Sequence, residues 1–412
     1  MNEMSLIKML PPMLSNKELE ESLEIYPEYD PDIINQDAAT RIIALSDLYK
    51  AFVPNQMSKE IYSKLYLALL RSLQKKDGVL RVKQSLANHR TAMLKQEYSG
   101  ILGGSDSFTI LGVSGIGKSS AISRAVQLLT NDRIIETKQP YRKILPCVVV
   151  QCPFDSSVKG LLLEIIRVVD EQLDGSYYPK TTSVRATTDM LIGSVSNILL
   201  NHVGILIVDE IQNVAISKNG RNLLGVLLQL INCSGVSICM VGTPECQDFF
   251  TQAMQLARRS LGLQYESMKY GAEFVNLCEI LFQYQYVQHK TELDDSTVRW
   301  LYEHSNGNVS SVVTLLHDAQ EIAILEGKEI LNMETLNAAF QSRMKMLHSY
   351  IAPSKRSQTS RQKKSAEIKF SQQEVKETVD ISVASLIKQA KDEGREIVSF
   401  LKSYITVEEV RI

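Results

Sequence analysis

No two cysteines in this 412-residue chain are spaced as CxxC, and the six present (Cys147, Cys152, Cys233, Cys239, Cys246 and Cys278) sit mostly inside apolar runs. That pattern excludes a zinc module and gives no disulfide frame. Reduced, buried thiols in a cytosolic protein are expected. No uninterrupted apolar run is long enough to cross a bilayer, so no transmembrane helix is expected. The opening residues, MNEMSLIKMLPPM, lack a basic stretch followed by a long apolar one, so no secretory signal is expected. An excess of one charge is missing too. The formal net charge of -2 excludes a uniformly basic nucleic-acid binder but not a local basic face. There is no internal repeat, which argues against a repeat array. What remains is 44% hydrophobic and 22% charged, ordinary for a globular protein. The length suits two or three domains at about 150 residues each.

The chain changes character several times. Residues 1–36 are acidic (Glu18, Glu20, Glu21, Glu24, Glu28, Asp30, Asp32) and are broken by four prolines, which reads as an irregular arm with one short helix. Over 37–98, Ile61, Leu65, Leu69 and Leu73 recur every fourth residue, so a small helical domain is expected. Residues 99–270 alternate apolar strands with helices. The strands are FTIL from Phe108, PCVVVQ from Pro146, GILIVDE from Gly204 and VSICMVGT from Val236. Continuous apolar strands of this kind indicate an α/β fold with a parallel sheet covered by helices on both faces. Residues 271–350 read as a helical bundle. Residues 351–373 form a polar, basic linker by composition, and 374–412 regain helical apolar spacing through Ile387, Ile397, Phe400 and Leu401.

GVSGIGKS, from Gly112 to Ser119, fits G-x-x-x-x-G-K-[ST], follows a predicted strand and opens a predicted helix. The backbone N–H groups of Gly112, Val113, Ser114, Gly115, Ile116, Gly117, Lys118, Ser119 and Ser120 are the candidate phosphate cradle, reinforced by the helix dipole. Lys118 is expected to reach the β- and γ-phosphates of ATP, and Ser119 to ligate Mg²⁺. GILIVDE ends in two carboxylates about 90 residues later. Asp209 is the candidate second Mg²⁺ ligand, and Glu210 the candidate base or orienter of an attacking water. Glu210 beside Asp209 points to hydrolysis. Thr243 would lie beside the γ-phosphate if its strand sits between the two motif strands. Arg258 and Arg259 fit either an arginine supplied to a neighbour's phosphate or a solvated basic helix end.

With these motifs the chain resembles AAA+ ATPases, and within them transposon-encoded regulators of the TnsC type, with TniB, MuB and IstB as more distant relatives. The resemblance covers about residues 40–345. Its more specific part is ILFQYQYVQHKTELDDSTVRWLYEHSNGNVSSVVTLLHDAQEIAI, Ile280 to Ile324, which looks like the TnsC lid. Ala257–Arg259 sits where TnsC-type proteins carry an arginine pair. The resemblance implies an AAA+ P-loop NTPase core with a C-terminal helical lid and an N-terminal helical extension. It implies Mg²⁺-dependent ATP hydrolysis, sequence-independent binding of double-stranded DNA and assembly into a ring or filament. It also implies a link between a target selector of the TnsD or TniQ kind and a transposase of the TnsB or TnsA kind, in a bacterial cytoplasm. One departure stands out. Asn308, Val309, Ser310, Ser311 and Val312 occupy the region where AAA+ lids often place a sensor arginine.

For DNA, Arg142, Lys143, Lys159, Lys218 and Arg221 are candidate phosphate contacts, or else ordinary surface cations. The basic linker and the C-terminal end, VEEVRI, are candidate DNA and transposase contacts, or a solvated linker and a helix folded back. No histidine (His89, His202, His289, His304, His317, His348) has a metal-ligand partner by spacing, and Mg²⁺ bound with the nucleotide is the one metal expected. Two alternatives remain: an AAA+ helicase or initiator loader, which should lack the lid stretch, and a STAND-type signalling switch that binds nucleotide without DNA.

Overall fold

A computed structural model describes residues 6–344, apart from 95–99, 103–106, 132, 139–140, 183–185, 248–249 and 251–261. The chain divides into two units, Met1–Ala352 and Pro353–Ile412, and every described residue belongs to the first. The expected linker and tail, 351–373 and 374–412, lie outside the described residues, as do Arg258 and Arg259.

Along the chain, α1 (Asn16–Leu23), α2 (Ala38–Ala44), α3 (Asp47–Lys50), α4 (Gln56–Lys76) and α5 (Val79–Leu94) precede the first strand. Then come β1 (Phe108–Gly112), α6 (Lys118–Thr130), β2 (Ile135–Lys138), β3 (Tyr141–Gln151), α7 (Val158–Leu173), α8 (Tyr177–Thr182) and α9 (Thr188–His202). β4 (Val203–Asp209), α10 (Asn213–Ile216), α11 (Gly220–Ser234), β5 (Ser237–Gly242) and β6 (Leu263–Tyr265) complete the α/β part. Among the described residues, four further α-helices follow: α12 (Ala272–Phe282), α13 (Asp295–Ser305), α14 (Val309–Leu325) and α15 (Met333–Ala339).

The six strands form one sheet in the order β2-β3-β4-β5-β1-β6. All neighbours are parallel except β2 and β3. The α/β expectation therefore holds, and the reason is visible in β4. Leu206 and Val208 pack into the core with α7, α9 and α11, while Ile205 and Ile207 pack into the core with α4 and α6. Side chains alternate across a strand, so a strand covered on both faces must be apolar throughout. Each such Leu, Ile or Val contributes on the order of 1.5–3 kcal/mol on full burial. β2 and β6 were not among the expected strands. β2 is a four-residue edge strand with one buried side chain, and β6 has three residues, none of them fully buried, paired to β1.

Within residues 37–98, expected to be a small helical domain, helix α4 packs against the sheet and α6. Helix α4 starts at a capping box, in which Asn55 accepts from the Ser58 N–H and Ser58 Oγ accepts from the Asn55 N–H. Its buried stripe Ile61, Leu65, Leu69 and Leu73 belongs to the same core as β1 and α6. The stripe was read correctly, but the surface that buries it is the sheet. The 1–36 arm is likewise docked, with Leu6, Leu19 and Leu23 buried in that core. Arg124 of α6 holds it by donating to the Ser22 and Leu23 carbonyls.

Helices α12 to α15 surround a third core, which takes in Leu45 and Leu48 from the N-terminal region. Arg41 of α2 ties that region to these helices. Its guanidinium makes two hydrogen bonds to the Glu329 carboxylate, 2.6 and 2.7 Å, and a third to the Tyr286 carbonyl at 3.1 Å. Such a bidentate pair is among the stronger charged contacts.

Candidate functional site

The C-terminal ends of β1, β4 and β5 lie side by side at one edge of the sheet. Because β5 runs between β4 and β1, Thr243 falls between the loop Gly112–Gly117 and the carboxylates of Asp209 and Glu210. This meets the condition that the sequence left open. The Thr243 hydroxyl donates to the Glu245 carboxylate.

β1 is buried along its whole length and ends at Gly112, where the loop turns back into α6. Gly115 and Gly117 take positive φ, +82° and +94°, a left-handed conformation that favours glycine, and the loop leads into the N-terminus of α6. Lys118 Nζ donates to the carbonyls of Gly112 (2.6 Å) and Val113 (2.9 Å). Burial pushes its ammonium below the usual lysine value, while the nearby Asp209 and Glu210 pull the other way. Ser119 Oγ lies 3.5 Å from Asp209 Oδ2. A hydroxyl and a carboxylate brought together at a phosphate cradle are the hard oxygen donors that Mg²⁺ takes from a protein, with phosphates and water filling the remaining positions. The residues present therefore fit the ion.

Glu210 is set by its backbone. Its φ is +57°, in the left-handed region, and its N–H donates to Asp209 Oδ1 at 2.8 Å. A non-glycine residue held there costs on the order of 1 kcal/mol and persists only when its surroundings enforce it. Here the Ile211 N–H donates to the Val241 carbonyl (2.9 Å), and a Cβ at Gly242 would meet Ile211 Cγ2 at 2.8 Å and Gln212 Oε1 at 2.9 Å. The end of β5 thus presses the turn into shape. Gln212 Nε2 donates to the Glu210 carboxylate and fixes its rotamer.

These groups line a cavity of about 360 Å³, to which Phe52, Val53, Pro54, Leu277, Leu281 and Val313 add an apolar lining. Polar groups that take phosphates and apolar groups that take a flat base are the two requirements of a nucleotide site. Helix α14 closes the cavity. Asn308, its N-cap, accepts from the Ser311 N–H (3.1 Å) through Oδ1 and donates from Nδ2 to the Ser114 carbonyl (2.7 Å). The Ser310 N–H donates to the Gly115 carbonyl at 2.9 Å. Gly115 has no room for a Cβ, since Asn308 Oδ1 would lie 2.6 Å from it.

The sequence reading assigned no role to Gln212, to Asn308 or to Phe52–Pro54. Gln212 stands two residues after Glu210, and Asn308 is a recognisable N-cap before an apolar run, so both left a local signal. The 52–54 wall left none, because it joins the site only through tertiary packing.

The five candidate DNA cations do not form one face. Lys159, Lys218 and Arg221 are exposed beyond the C-terminal ends of β3 and β4, where Ser217 and Asn219 donate to the Asp155 carbonyl. Arg142 and Lys143 sit at the opposite end of β3. Arg142 is half-buried there, close to Lys76, whose amine is fully buried and donates to the Leu199 and Val203 carbonyls. Burial, with Arg142 adding to it, pushes Lys76 down to about 7. His317 also needs correction. It is not isolated, because Asp318 (2.9 Å) and Glu321 lie within ligand reach of it. Arg343 already supplies the cation to both carboxylates. The six cysteines are free and buried. No helix among the described residues is long and apolar enough to cross a membrane.

Residues 103–250 match the family model described as an AAA domain, and the sheet and its covering helices have the AAA+ P-loop NTPase fold. No curated protein matches the chain significantly. Among solved structures, the chain is similar to the ORC1 protein of Aeropyrum pernix in complex with DNA. Identity is 16% and the TM-score 0.42, covering 80% of this chain and 79% of that one. It is similar to Drosophila ORC bound to DNA at 13% identity and a TM-score of 0.44, with 96% and 83% covered. A third is the Thermotoga maritima RuvB branch migration motor, at 13% identity, a TM-score of 0.33, and 64% and 67% covered.

Proposed function

We propose that this chain, which carries an AAA domain over residues 103–250, is a Mg²⁺-dependent ATPase that regulates DNA transposition in the manner of TnsC-type proteins. One observation carries the ATPase reading. The phosphate loop, the carboxylate pair and an apolar wall from two separate parts of the chain meet at a single cavity of about 360 Å³. The transposition reading rests on the resemblance of Ile280 to Ile324 to the TnsC lid.

In this reading the loop Gly112–Ser120 binds the phosphates through its N–H groups, and Lys118 leaves its two backbone carbonyls to pair with the β- and γ-phosphates. Ser119 and Asp209 hold Mg²⁺, which when bound neutralises charge on the phosphate oxygens. Glu210, held by Gln212, orients a water in line with the γ-phosphate and takes its proton, giving ADP and phosphate. Thr243 exchanges its bond to Glu245 for one to the γ-phosphate. Arg258 or Arg259 of a neighbouring copy completes the charge. ATP thereby favours an assembly on double-stranded DNA, in which Lys159, Lys218 and Arg221 meet backbone phosphates without reading sequence. A selector and a transposase dock on that assembly, and hydrolysis dissolves it.

The test is electron microscopy of the full chain with a non-hydrolysable ATP analogue, with and without a random-sequence duplex. Rings or filaments that require both ligands are expected. Particles that respond to nucleotide but ignore DNA would instead favour a nucleotide-latched switch and remove the DNA assignments.

A further inference from the structure

Helix α5 is inverted. Its three fully buried residues, Gln84, Asn88 and Thr91, are polar. Gln84 Oε1 accepts from the N–H groups of Ile101 (2.6 Å) and Leu102 (3.1 Å). Asn88 Nδ2 donates to the Cys233 carbonyl at 2.9 Å. The helix lies so close to α9 that a Cβ at Gly193 would meet the Ala92 nitrogen at 2.7 Å. It is therefore docked by hydrogen bonds, while its apolar residues point outward. Val79 is 78% exposed, Leu86 57% and Met93 66%, with Val82 about half exposed. Their spacing of three, four and seven residues places them in one stripe. Lys83 and Arg90 flank the stripe, and α5 contains no acidic residue.

An ordinary surface helix has the reverse pattern, and an apolar stripe of this length turned to solvent marks a protein contact. The chemistry of the partner follows from the flanks: it must offer apolar side chains among carboxylates. This chain carries such a surface. In the docked N-terminal segment, seven acids between Glu18 and Asp32 stand against Lys17, Lys59 and Lys290. Among them Tyr26 is 43% exposed, and partial burial, followed by the nearby Glu24 and Glu20, pushes its hydroxyl up to about 12. Within one copy α1 packs on α4 and α6 and the stretch through Pro27 and Tyr29 packs on the C-terminal helices, whereas α5 packs chiefly on α9, with lesser contacts to α11 and α4. Because the two surfaces are docked on different elements of one copy, a pairing between them would run between copies, head to tail, the arrangement that builds rings or open filaments.

We infer that the outer face of α5 is the docking surface for the acidic N-terminal segment of a second copy of this chain. The inference rests on the oligomer part of the proposed function but does not involve the nucleotide site. All native cysteines are buried, so cysteines introduced on these surfaces are the reactive ones. A full-length Leu86→Cys chain mixed with a Tyr26→Cys chain, under the assembling conditions above, is expected to cross-link as a mixed pair. Neither variant alone is expected to cross-link to itself. In sedimentation velocity, Lys83→Glu with Arg90→Glu is expected to raise the dissociation constant of assembly at least about tenfold. Mixing that variant with a Glu24→Lys, Glu28→Lys chain should restore a pair. Self-cross-linking of Leu86→Cys, absence of any mixed product, or unchanged assembly of the charge-reversed chain would overturn the inference. ATP affinity is measured in parallel: its loss in wild type would overturn the nucleotide reading, and its persistence without α5-dependent assembly would overturn this one alone.

Discussion

Glu210 and Asp209 are neighbours in sequence but take opposite backbone conformations, and the proposed division of labour follows from that. Asp209 ends a strand and points at Ser119, while Glu210, at φ +57°, turns away and is caught by Gln212. Replacing Glu210 by Gln keeps the shape and removes the base. ATP affinity should stay within about twofold while turnover falls by about 100-fold or more. A phosphate-release assay beside an equilibrium binding titration separates the two, and turnover at the wild-type rate would withdraw the role. Lys118→Ala should act differently. It removes the charge that faces the phosphates, so binding itself fails, together with any assembly that depends on it. Lys118, Ser119, Asp209 and Glu210 were legible in the sequence as candidates because each belongs to a short motif whose spacing is local.

The element that closes the site is α14, which is attached to the phosphate loop through Asn308. Asn308 caps its own helix and clasps the Ser114 carbonyl with the same side chain, so helix start and phosphate loop move together. Asn308→Ala breaks both bonds. It should cost about 1–2 kcal/mol of stability, the loss of an N-cap with a buried partner. Because the clasp lies on the loop, ATP affinity should weaken as well. Thermal unfolding with and without nucleotide tests this: a variant destabilised equally in both states would reduce Asn308 to a plain cap. The cap was legible in the residues Asn308 to Ser311. The clasp was not, because it spans 194 positions of sequence.

At the scale of the whole described unit, the N-terminal region works as a strap. Arg41 reaches across 288 positions to Glu329, and Phe52, Val53 and Pro54 supply one wall of the cavity. Arg41→Met removes the cation from a partly buried carboxylate that keeps only the Gln288 N–H (3.3 Å), a change that costs at most about 3–5 kcal/mol, the range for a fully buried pair. The pair also has a pH signature. Hydrogen bonding to Arg41 holds the Glu329 carboxyl below its usual range, against the opposing effect of burial. Its contribution is therefore fully present above the unfolded value near 4.5 and is lost as pH falls through the lower folded value. Wild type should lose stability over that acid window more steeply than Arg41→Met. Parallel slopes in denaturant titrations would show that the pair contributes nothing. By itself the sequence determined the four apolar strands β1, β3, β4 and β5, the phosphate loop, the carboxylate pair and the helical stripe of α4, because apolar period and motif spacing are properties of neighbouring residues. Only the tertiary structure decided that α4 covers the sheet, that α5 turns its apolar side outward, and that residues 41–54 join the site and the C-terminal helices. Burial is conferred by whatever packs on a face, and a stripe of leucines carries no record of its partner.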